Sequence, residues 1–298
     1  MQKVWDAIVV GAGPAGASSA VWLRHLGFDP LLVEATDRIG GLAARNPFAD
    51  IWTVTSPNQT GEEVAQQIAK QVQAAGIDTW FNARVLSVSG QAGAFCVQLQ
   101  REEREAESVF ARTIVLATGV RARDLPGHVG LSYPGVIIGP GQEIMSTDFS
   151  GLRVALLGGG DNAFENYEFV KTGGASEAHI YARTVRAQKQ YVDRVPDHDL
   201  TVGSVELDPV SRTIAGKHYD LILVLYGWQP SIGYLKDLPL DLDKRGFVQT
   251  DTQNAQTSMD GVYAIGEVSQ RMHPCVPTAM ADGVVAAKAI ERRLTGKN

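Results

Sequence analysis

Two glycine-rich segments have the spacing of loops that bind dinucleotide phosphates. The first, residues 11–16 (GAGPAG), has the pattern GxGxxG. Gly11 permits a tight turn, Gly13 lets backbone N–H groups approach a pyrophosphate, and Gly16 allows close packing of helix on strand. Glu34 follows 23 residues after Gly11, where a carboxylate can accept hydrogen bonds from a ribose. This combination predicts a dinucleotide site.

The second segment, residues 158–163 (GGGDNA), has the related pattern GxGxxA. A strand is predicted after its helix, and Arg183 and Arg186 follow that strand, where NAD-binding proteins carry an acid. Arginine there suits the 2′-phosphate of NADP, which a carboxylate would repel. The alternative is a solvated basic edge shared with Lys189 and Arg194. A second nucleotide unit with NADP as its ligand is the favoured interpretation.

Both loops are flanked by the elements that such sites need. Strands are predicted over 4–10, 30–33, 154–157 and 178–182, and helices over 17–26 and 163–171. Toward the C-terminus, a strand is predicted over 261–267 and a helix over 278–294. Two βαβ units of this kind predict an α/β fold with two Rossmann-like, three-layer dinucleotide-binding domains. The pattern of the first domain resumes near residue 244, so the second is expected to be inserted in the first. The predicted boundaries are 1–117 plus 244–298 for the first domain and 118–243 for the second.

Composition limits the remaining function classes. The 298 residues carry a net charge of −6, which argues against a nucleic-acid partner. The longest apolar run, 221–228, is far shorter than the roughly 18 residues of a membrane-spanning helix, and the N-terminus is not typical of a signal peptide. The two cysteines, Cys96 and Cys275, exclude a CxxC motif and a cysteine-based zinc site, and no metal is expected. We therefore expect a cytoplasmic protein with free thiols, in which Cys96 is a small buried strand residue.

An ordered set of motifs resembles the low-molecular-weight thioredoxin reductases among the two-dinucleotide-binding flavoproteins. The set is GAGPAG at 11–16, Glu34, Gly40-Gly41, ATG at 117–119, GGGDNA at 158–163, GVYAIGE at 261–267 and TAMADG at 278–283. The resemblance implies FAD in the discontinuous domain and NAD(P)H in the inserted domain. It also implies a homodimer.

The resemblance assigns binding roles position by position. Those implied for FAD are Gly11, Gly13, Pro14, Ala15, Gly16, Glu34, Ala35, Gly41, Leu42, Val85, Ala117, Thr118, Gly119, Gly266, Glu267, Thr278 and Ala279. Those implied for NADP are Gly158, Gly159, Gly160, Asp161, Asn162, Ala163, Arg183 and Arg186. Three positions depart from the family: Glu267 replaces an Asp, and Leu42 and Cys275 stand where Gln is common.

A missing dithiol changes the expected activity. Thioredoxin reductases carry a CxxC just before the second phosphate loop, but the corresponding stretch, 137–148, contains no cysteine. Disulfide exchange needs an attacking thiolate and a resolving thiol, so relay through an internal dithiol is excluded. The favoured function is an FAD-dependent oxidoreductase that accepts hydride from NAD(P)H, with NADPH preferred. It would pass electrons directly from the flavin to ferredoxin, flavodoxin or a small-molecule acceptor, as ferredoxin–NADP reductases of this architecture do.

Two alternatives remain open from the sequence. In one, Cys275 reduces a small disulfide or a peroxide, and His273 is a candidate proton donor beside the flavin. A small residue that packs beside the ring is the simpler role for Cys275. In the other, the protein is a flavin-containing redox sensor without enzymatic activity, because the nicotinamide site has decayed.

Overall fold

The computed structural model describes residues 3–50, 53–102, 104–236 and 238–296. The chain divides into two compact units, one formed by Met1–Val120 with Pro230–Asn298 and one by Arg121–Gln229. The return to the first unit thus lies at Pro230, 14 residues before the expected position at 244. The reason is the packing of the segment after Pro230, since Leu235 and Leu238 are buried in the core of the first unit.

The first unit contains strands on both sides of its glycine loop and three helices. Its strands are β1 (Val4–Val10), β2 (Pro30–Val33), β3 (Asp78–Trp80), β4 (Ala83–Gln91), β5 (Ala94–Arg101), β6 (Glu107–Leu116) and β17 (Val262–Ala264). Its helices are α1 (Pro14–His25), α2 (Gly61–Ala74) and α6 (Val276–Thr295). The predicted strand 30–33 is confirmed, and the C-terminal helix, predicted over 278–294, begins two residues earlier.

One seven-stranded sheet organises this unit. β1 pairs in parallel with β2 and with β6, and β17 pairs in parallel with the last residues of β6. The first half of β6 pairs antiparallel with β5, which pairs antiparallel with β4. The carboxyl ends of β1, β2, β6 and β17 therefore meet at one edge, where ligands bind in open α/β sheets.

The second unit repeats the parallel arrangement on a smaller scale. Its elements are β8 (Val136–Ile138), α3 (Gln142–Ser146), β9 (Arg153–Leu157), α4 (Asp161–Thr172), β10 (Glu177–Ala182), α5 (Lys189–Val192), β11 (Leu200–Val202), β12 (Leu207–Asp208), β13 (Thr213–Ile214), β14 (Lys217–His218) and β15 (Leu221–Val224). The sheet order is β11-β10-β9-β15-β8, and its strand pairs are parallel. β7 (Val120–Ala122) and β16 (Trp228–Pro230) pair with each other where the chain leaves the first unit and where it returns.

Two sequence expectations need correction. The predicted strand over 261–267 ends at Ala264, because Gly266 has a φ of +68° and opens a 3₁₀ turn, Gly266–Val268. A left-handed residue cannot continue a strand. Cys96 lies on β5 as predicted, but it is only partly buried, since it alternates with the buried side chains of Phe95 and Val97.

Candidate functional site

The first glycine loop connects β1 to α1 with the geometry that a diphosphate site requires. Gly13 caps α1 and Pro14 opens it, so the first N–H groups of the helix have no helical acceptor. Gly16 packs so closely on the turn that a Cβ there would lie 1.9 Å from the Gly11 carbonyl oxygen. A Cβ on Gly41 would lie 3.1 Å from the Gly13 Cα. Backbone therefore faces backbone at this loop, which leaves N–H groups accessible to a phosphate.

Glu34 directly follows β2 beside this loop, and its carboxylate accepts hydrogen bonds from three donors. The Ala12 N–H donates to Oε2 at 2.8 Å. The backbone N–H and the hydroxyl of Thr36 donate to Oε1 at 2.9 and 2.8 Å. The side chain is held at the edge of the sheet where the resemblance implies the adenosine ribose, whereas the neighbouring Ala35 is exposed.

A shallow depression lies at the carboxyl end of β17 and the beginning of α6. Its lining comprises Gly266, Glu267, Gln270, Met272, Pro274, Cys275, Thr278, Ala279 and Asp282. Four predicted FAD residues, Gly266, Glu267, Thr278 and Ala279, are thus brought together with Cys275. The sequence did not single out the remaining members of the lining.

Glu267 contributes a poorly solvated carboxyl group to this depression. Burial raises the pKa of Glu267 above its ordinary value. The structure shows no hydrogen-bond partner for this carboxyl within the ranges it describes. A half-buried acid without a partner loses part of its hydration, and a ligand with hydroxyl groups would offset that cost. The longer side chain of Glu relative to Asp therefore remains compatible with a hydrogen bond to a bound molecule.

Cys275 is the N-cap residue of α6, and Thr278 forms a capping box with it. The thiol sulfur lies 3.3 Å from the Thr278 hydroxyl, and the Cys275 N–H donates to that hydroxyl at 3.2 Å. The hydroxyl in turn donates to the His273 carbonyl at 2.6 Å. His273 takes part through its backbone, while the residue itself is exposed. The role of His273 as a proton donor beside the flavin stays a prediction.

The segment 117–119 after β6 is tied to the returning chain. The Thr118 hydroxyl donates to the Ser231 carbonyl at 2.8 Å, and the Ser231 N–H donates to the Gly119 carbonyl at 3.0 Å. The Tyr234 hydroxyl lies 3.4 Å from the Thr118 hydroxyl, and burial raises the pKa of Tyr234. Sequence reasoning missed Ser231 and Tyr234, because their link to Thr118 spans more than 110 residues.

Val85 and Leu42, which the resemblance also assigns to FAD, are not part of the lining of the depression. Val85 is buried on β4 as part of the hydrophobic core of the first unit. Leu42 is half-buried and caps a 3₁₀ turn, Ala43–Arg45. Leu42 directly follows Gly41, so it lies beside the first glycine loop.

The second glycine loop is clamped by the segment that follows β10. Gly159 accepts hydrogen bonds through its carbonyl from the Arg186 and Ala187 N–H groups, at 2.6 and 3.0 Å. The Asp161 carboxylate accepts from the Gln188 N–H at 2.8 Å and from the Gln188 side-chain amide at 3.0 Å. Segment 183–188 is therefore held against the loop. Asp161 and Asn162 begin α4, and Ala163 is fully buried, as close helix packing requires.

The arginines of this segment differ from the neighbouring basic residues. Lys189 pairs with Asp193 at 2.6 Å, and Arg194 pairs with Glu168 at 3.0 Å. Arg183 and Arg186 are exposed, and neither forms an ion pair with any carboxylate in the described parts of the chain. If these four basic residues formed one solvated edge, we would expect no such difference in their ion pairs. The two unpaired guanidinium groups beside a glycine loop suit a phosphate ligand.

Comparison with known proteins identifies the family. The pyridine nucleotide-disulphide oxidoreductase family matches residues 5–197 and 179–283. The chain belongs to this family. It is 30% identical over 294 residues to a ferredoxin–NADP reductase from Limosilactobacillus fermentum, with 90% of this chain and 86% of that protein covered. It is 24% identical over 322 residues to a "34.2 kDa protein in rubredoxin operon" from Clostridium pasteurianum, with 99% of each covered.

A solved structure supports the fold. Thioredoxin reductase from Lactococcus lactis superposes with a TM-score of 0.79 at 20% identity, over 98% of this chain and 99% of that one. The predicted α/β class with two Rossmann-like domains and the predicted family relationship are both confirmed. So is the class of enzyme, an oxidoreductase that uses NAD(P)H. FAD and NADPH are the cofactors of this family, and both glycine loops fit dinucleotides.

Two further features concern metals and membranes. Within the described ranges, no three His, Cys, Asp or Glu side chains cluster as metal ligands would. None of the helices in those ranges is both long and apolar enough to cross a bilayer.

Proposed function

We propose that this protein is an FAD-dependent oxidoreductase that takes hydride from NADPH and passes electrons directly from the flavin to an acceptor. The observation that carries the proposal is the composition of the depression in the first unit. It joins the Gly266–Glu267 turn to the beginning of α6, and Cys275 supplies its one thiol. Cys96, the other cysteine of the chain, lies on β5. A dithiol relay has no second thiol among the residues that line this depression.

Different residues of the first unit bind different parts of FAD. The N-terminus of α1 and the loop 11–16 bind the diphosphate, and Glu34 accepts hydrogen bonds from the adenosine ribose. Glu267 accepts from hydroxyl groups of the ribityl chain. The beginning of α6 places the positive end of its dipole at the ring. Bound flavin supplies the ability to accept two electrons as hydride and to release them singly or together.

The second unit selects the electron donor. α4 and the loop 158–163 bind the diphosphate of the nicotinamide nucleotide, and Arg183 and Arg186 bind the 2′-phosphate of NADPH. NADH lacks that phosphate, so these arginines favour NADPH. The hydrogen bonds to Gly159 and Asp161 position the segment that carries them.

The names of two relatives support a small electron-carrier protein as acceptor. One is a ferredoxin–NADP reductase and the other is encoded in a rubredoxin operon. We therefore place ferredoxin, flavodoxin and small redox proteins ahead of low-molecular-weight acceptors. The homodimer implied by the family resemblance stays a prediction, which the mass of the protein in solution tests.

An acceptor panel with a cysteine variant tests the proposal. We expect NADPH-dependent reduction of a one-electron dye and of at least one carrier, ferredoxin or flavodoxin, and little reduction of thioredoxin. Cys275→Ser should retain these activities within about twofold, because a direct transfer does not use the thiol. Cys96→Ser serves as the matched control. No turnover with any one-electron acceptor would contradict the proposal.

A second candidate is reduction of a small disulfide or peroxide by Cys275. The position of Cys275 at the N-cap of α6 favours it, because the N-terminus of a helix is a favourable place for the thiolate that attacks such substrates. Here the same Cys275→Ser variant would lose all disulfide or peroxide reductase activity. Equal activity of this variant and the wild type on such substrates removes the candidate.

A further inference from the structure

A buried ion pair lies next to the proposed flavin site. Arg271 follows the Gly266–Val268 turn, and Asp282 lies on the buried face of α6. Their side chains are only 8% and 3% exposed, and Arg271 Nε lies 3.6 Å from Asp282 Oδ1. Burying two charges is unfavourable unless their geometry is excellent, and apolar residues often serve stability better. The pair therefore calls for an explanation other than stability of the fold.

The geometry of the pair is incomplete. Arg271 donates through Nη2 to the Thr252 carbonyl, but its Nε and Nη1 are buried without a hydrogen-bond partner. Asp282 Oδ1 is likewise buried and has none, while Oδ2 accepts from the Gly266 N–H at 3.0 Å. The strongest connection of Asp282 is thus to the backbone of the turn.

The Gly266–Val268 turn is closely packed against the first glycine loop. Gly266 has a φ of +68°, and a Cβ on it would lie 2.9 Å from the Cβ of Ala15 in the first glycine loop. The next residue is Glu267, and Gly266, Glu267 and Asp282 all line the same depression. The hydrogen bond from the Gly266 N–H to Asp282 therefore fixes the backbone immediately before Glu267. This backbone determines where the Glu267 side chain lies in the depression. Burial raises the pKa of Asp282, and the hydrogen bond from the Gly266 N–H and the positive charge of Arg271 oppose that rise.

We propose that Asp282 and Arg271 are positioning residues for the flavin: Asp282 anchors the Gly266 N–H so that Glu267 meets the ligand, and Arg271 neutralises the buried carboxylate. The proposal rests on the proposed function, since it concerns FAD at this depression. It assigns no direct contact between either residue and the flavin.

Two double variants isolate the anchoring hydrogen bond. R271M/D282N and R271M/D282L both remove the two charges, but only the asparagine keeps an acceptor for the Gly266 N–H. We expect R271M/D282N to bind FAD within about threefold of the wild type. R271M/D282L should bind at least tenfold more weakly and with a shifted visible spectrum of the bound flavin. The measurements are FAD dissociation constants by fluorescence, flavin spectra, and the melting temperature of each apoprotein.

A surface pair on the same helix is the control. Arg293 near the end of α6 donates to Asp260 at 2.6 Å, in the turn before β17. Asp260→Asn should leave FAD affinity and spectrum unchanged. A role limited to the fold would lower the melting temperatures of the apoproteins and leave FAD affinity equal in the two double variants, which would overturn the proposal.

Amide exchange at Gly266 and FAD binding by the wild type provide two further tests. If R271M/D282L does not fold, amide exchange of the wild-type holoprotein replaces it. The Gly266 amide should then be protected, and exchange at the rate of a solvent-exposed amide would overturn the proposal. Wild-type protein that binds no FAD would overturn the proposed function and this inference together. FAD binding with no difference between the double variants overturns the inference alone.

Discussion

The two glycine loops share one backbone design and differ in the charge at the end of the neighbouring strand. In the first unit β2 is followed by Glu34, whose carboxylate accepts a hydrogen bond from the Ala12 N–H of the loop. In the second unit β10 is followed by Arg183 and Arg186, and the N–H groups of Arg186 and Ala187 donate to the Gly159 carbonyl of the loop. A fixed carboxylate suits ribose hydroxyl groups, and unpaired guanidinium groups suit a phosphate. On this difference we propose FAD as the ligand of the first loop and NADPH as the ligand of the second.

The largest expected effect separates a closely packed glycine of the first loop, Gly16, from an unobstructed glycine of the second, Gly160. Gly16→Ala places a Cβ 1.9 Å from the Gly11 carbonyl oxygen, so the turn has to open. We expect a loss of about 3 kcal/mol of unfolding free energy and little bound FAD. In the second loop, a Cβ on Gly160 meets no atom within 4 Å. Gly160→Ala should therefore cost less than about 1 kcal/mol. Denaturant unfolding and flavin content check both, and equal losses would contradict the comparison.

The acid of the first loop gives the next effect. Glu34→Gln keeps the shape of the side chain but removes the charge that accepts from Ala12 and Thr36. Because hydrogen bonds to charged groups contribute about 1.5–3 kcal/mol, we expect FAD to bind about 30-fold more weakly, or ~2 kcal/mol. NADPH affinity should not change. The dissociation constants of the two nucleotides, measured separately, test this. A loss of NADPH affinity equal to the loss for FAD would show that the assignment of the loops is wrong.

The arginines of the second loop give a selective effect. Arg183→Gln and Arg186→Gln should each raise the KM for NADPH about tenfold, ~1.4 kcal/mol, and leave the KM for NADH unchanged. Arg194→Gln is the control, because Arg194 pairs with Glu168 on the same unit. Steady-state dye reduction with both nucleotides gives the ratios. If all three variants behave alike, the basic residues form a solvated edge instead of a phosphate site.

The smallest effect concerns Glu267. This acid follows β17 in the first unit, whereas no acid follows β15 in the second. Burial raises the pKa of Glu267 above 4.5, so the folded state holds this proton more tightly than the unfolded chain. Its contribution to unfolding free energy therefore falls as pH rises above 4.5, by at most about 1.4 kcal/mol per pH unit. Glu267→Gln should raise the melting temperature of the apoprotein at pH 7, and the gain should vanish near pH 4.5. A gain independent of pH would contradict the role of burial.

The sequence predicts local features of these sites well. The first βαβ unit, its glycine loop and Glu34 lie where the pattern placed them, because strand, turn and helix signals are contiguous there. The second unit is also as predicted, and β10 (Glu177–Ala182) begins one residue before the expected strand. These features depend on neighbours in the chain, which periodicity and turn residues encode.

The features that the sequence did not reveal depend on distant contacts. The anchoring of Gly266 by Asp282 and the bonds from Thr118 to the returning chain join residues 16 and 113 positions apart. The domain return at Pro230 follows from packing of the next segment into the first core. One signal was present, since Asp282 is a single acid among the small residues 278–283 of α6. A buried position for that acid predicts a polar partner.

The central claim, electron transfer from flavin without an internal dithiol, is tested most directly by an anaerobic titration with NADPH while flavin absorbance is followed. NADPH delivers two electrons, and FAD accepts two, whereas a dithiol relay would take up two more. The account predicts complete bleaching at about one equivalent of NADPH per FAD, with no further uptake, and weaker bleaching by NADH at equal concentration. An end point near two equivalents would contradict the claim. Flavin that dithionite reduces and NADPH does not would show that the second unit does not serve a nicotinamide nucleotide.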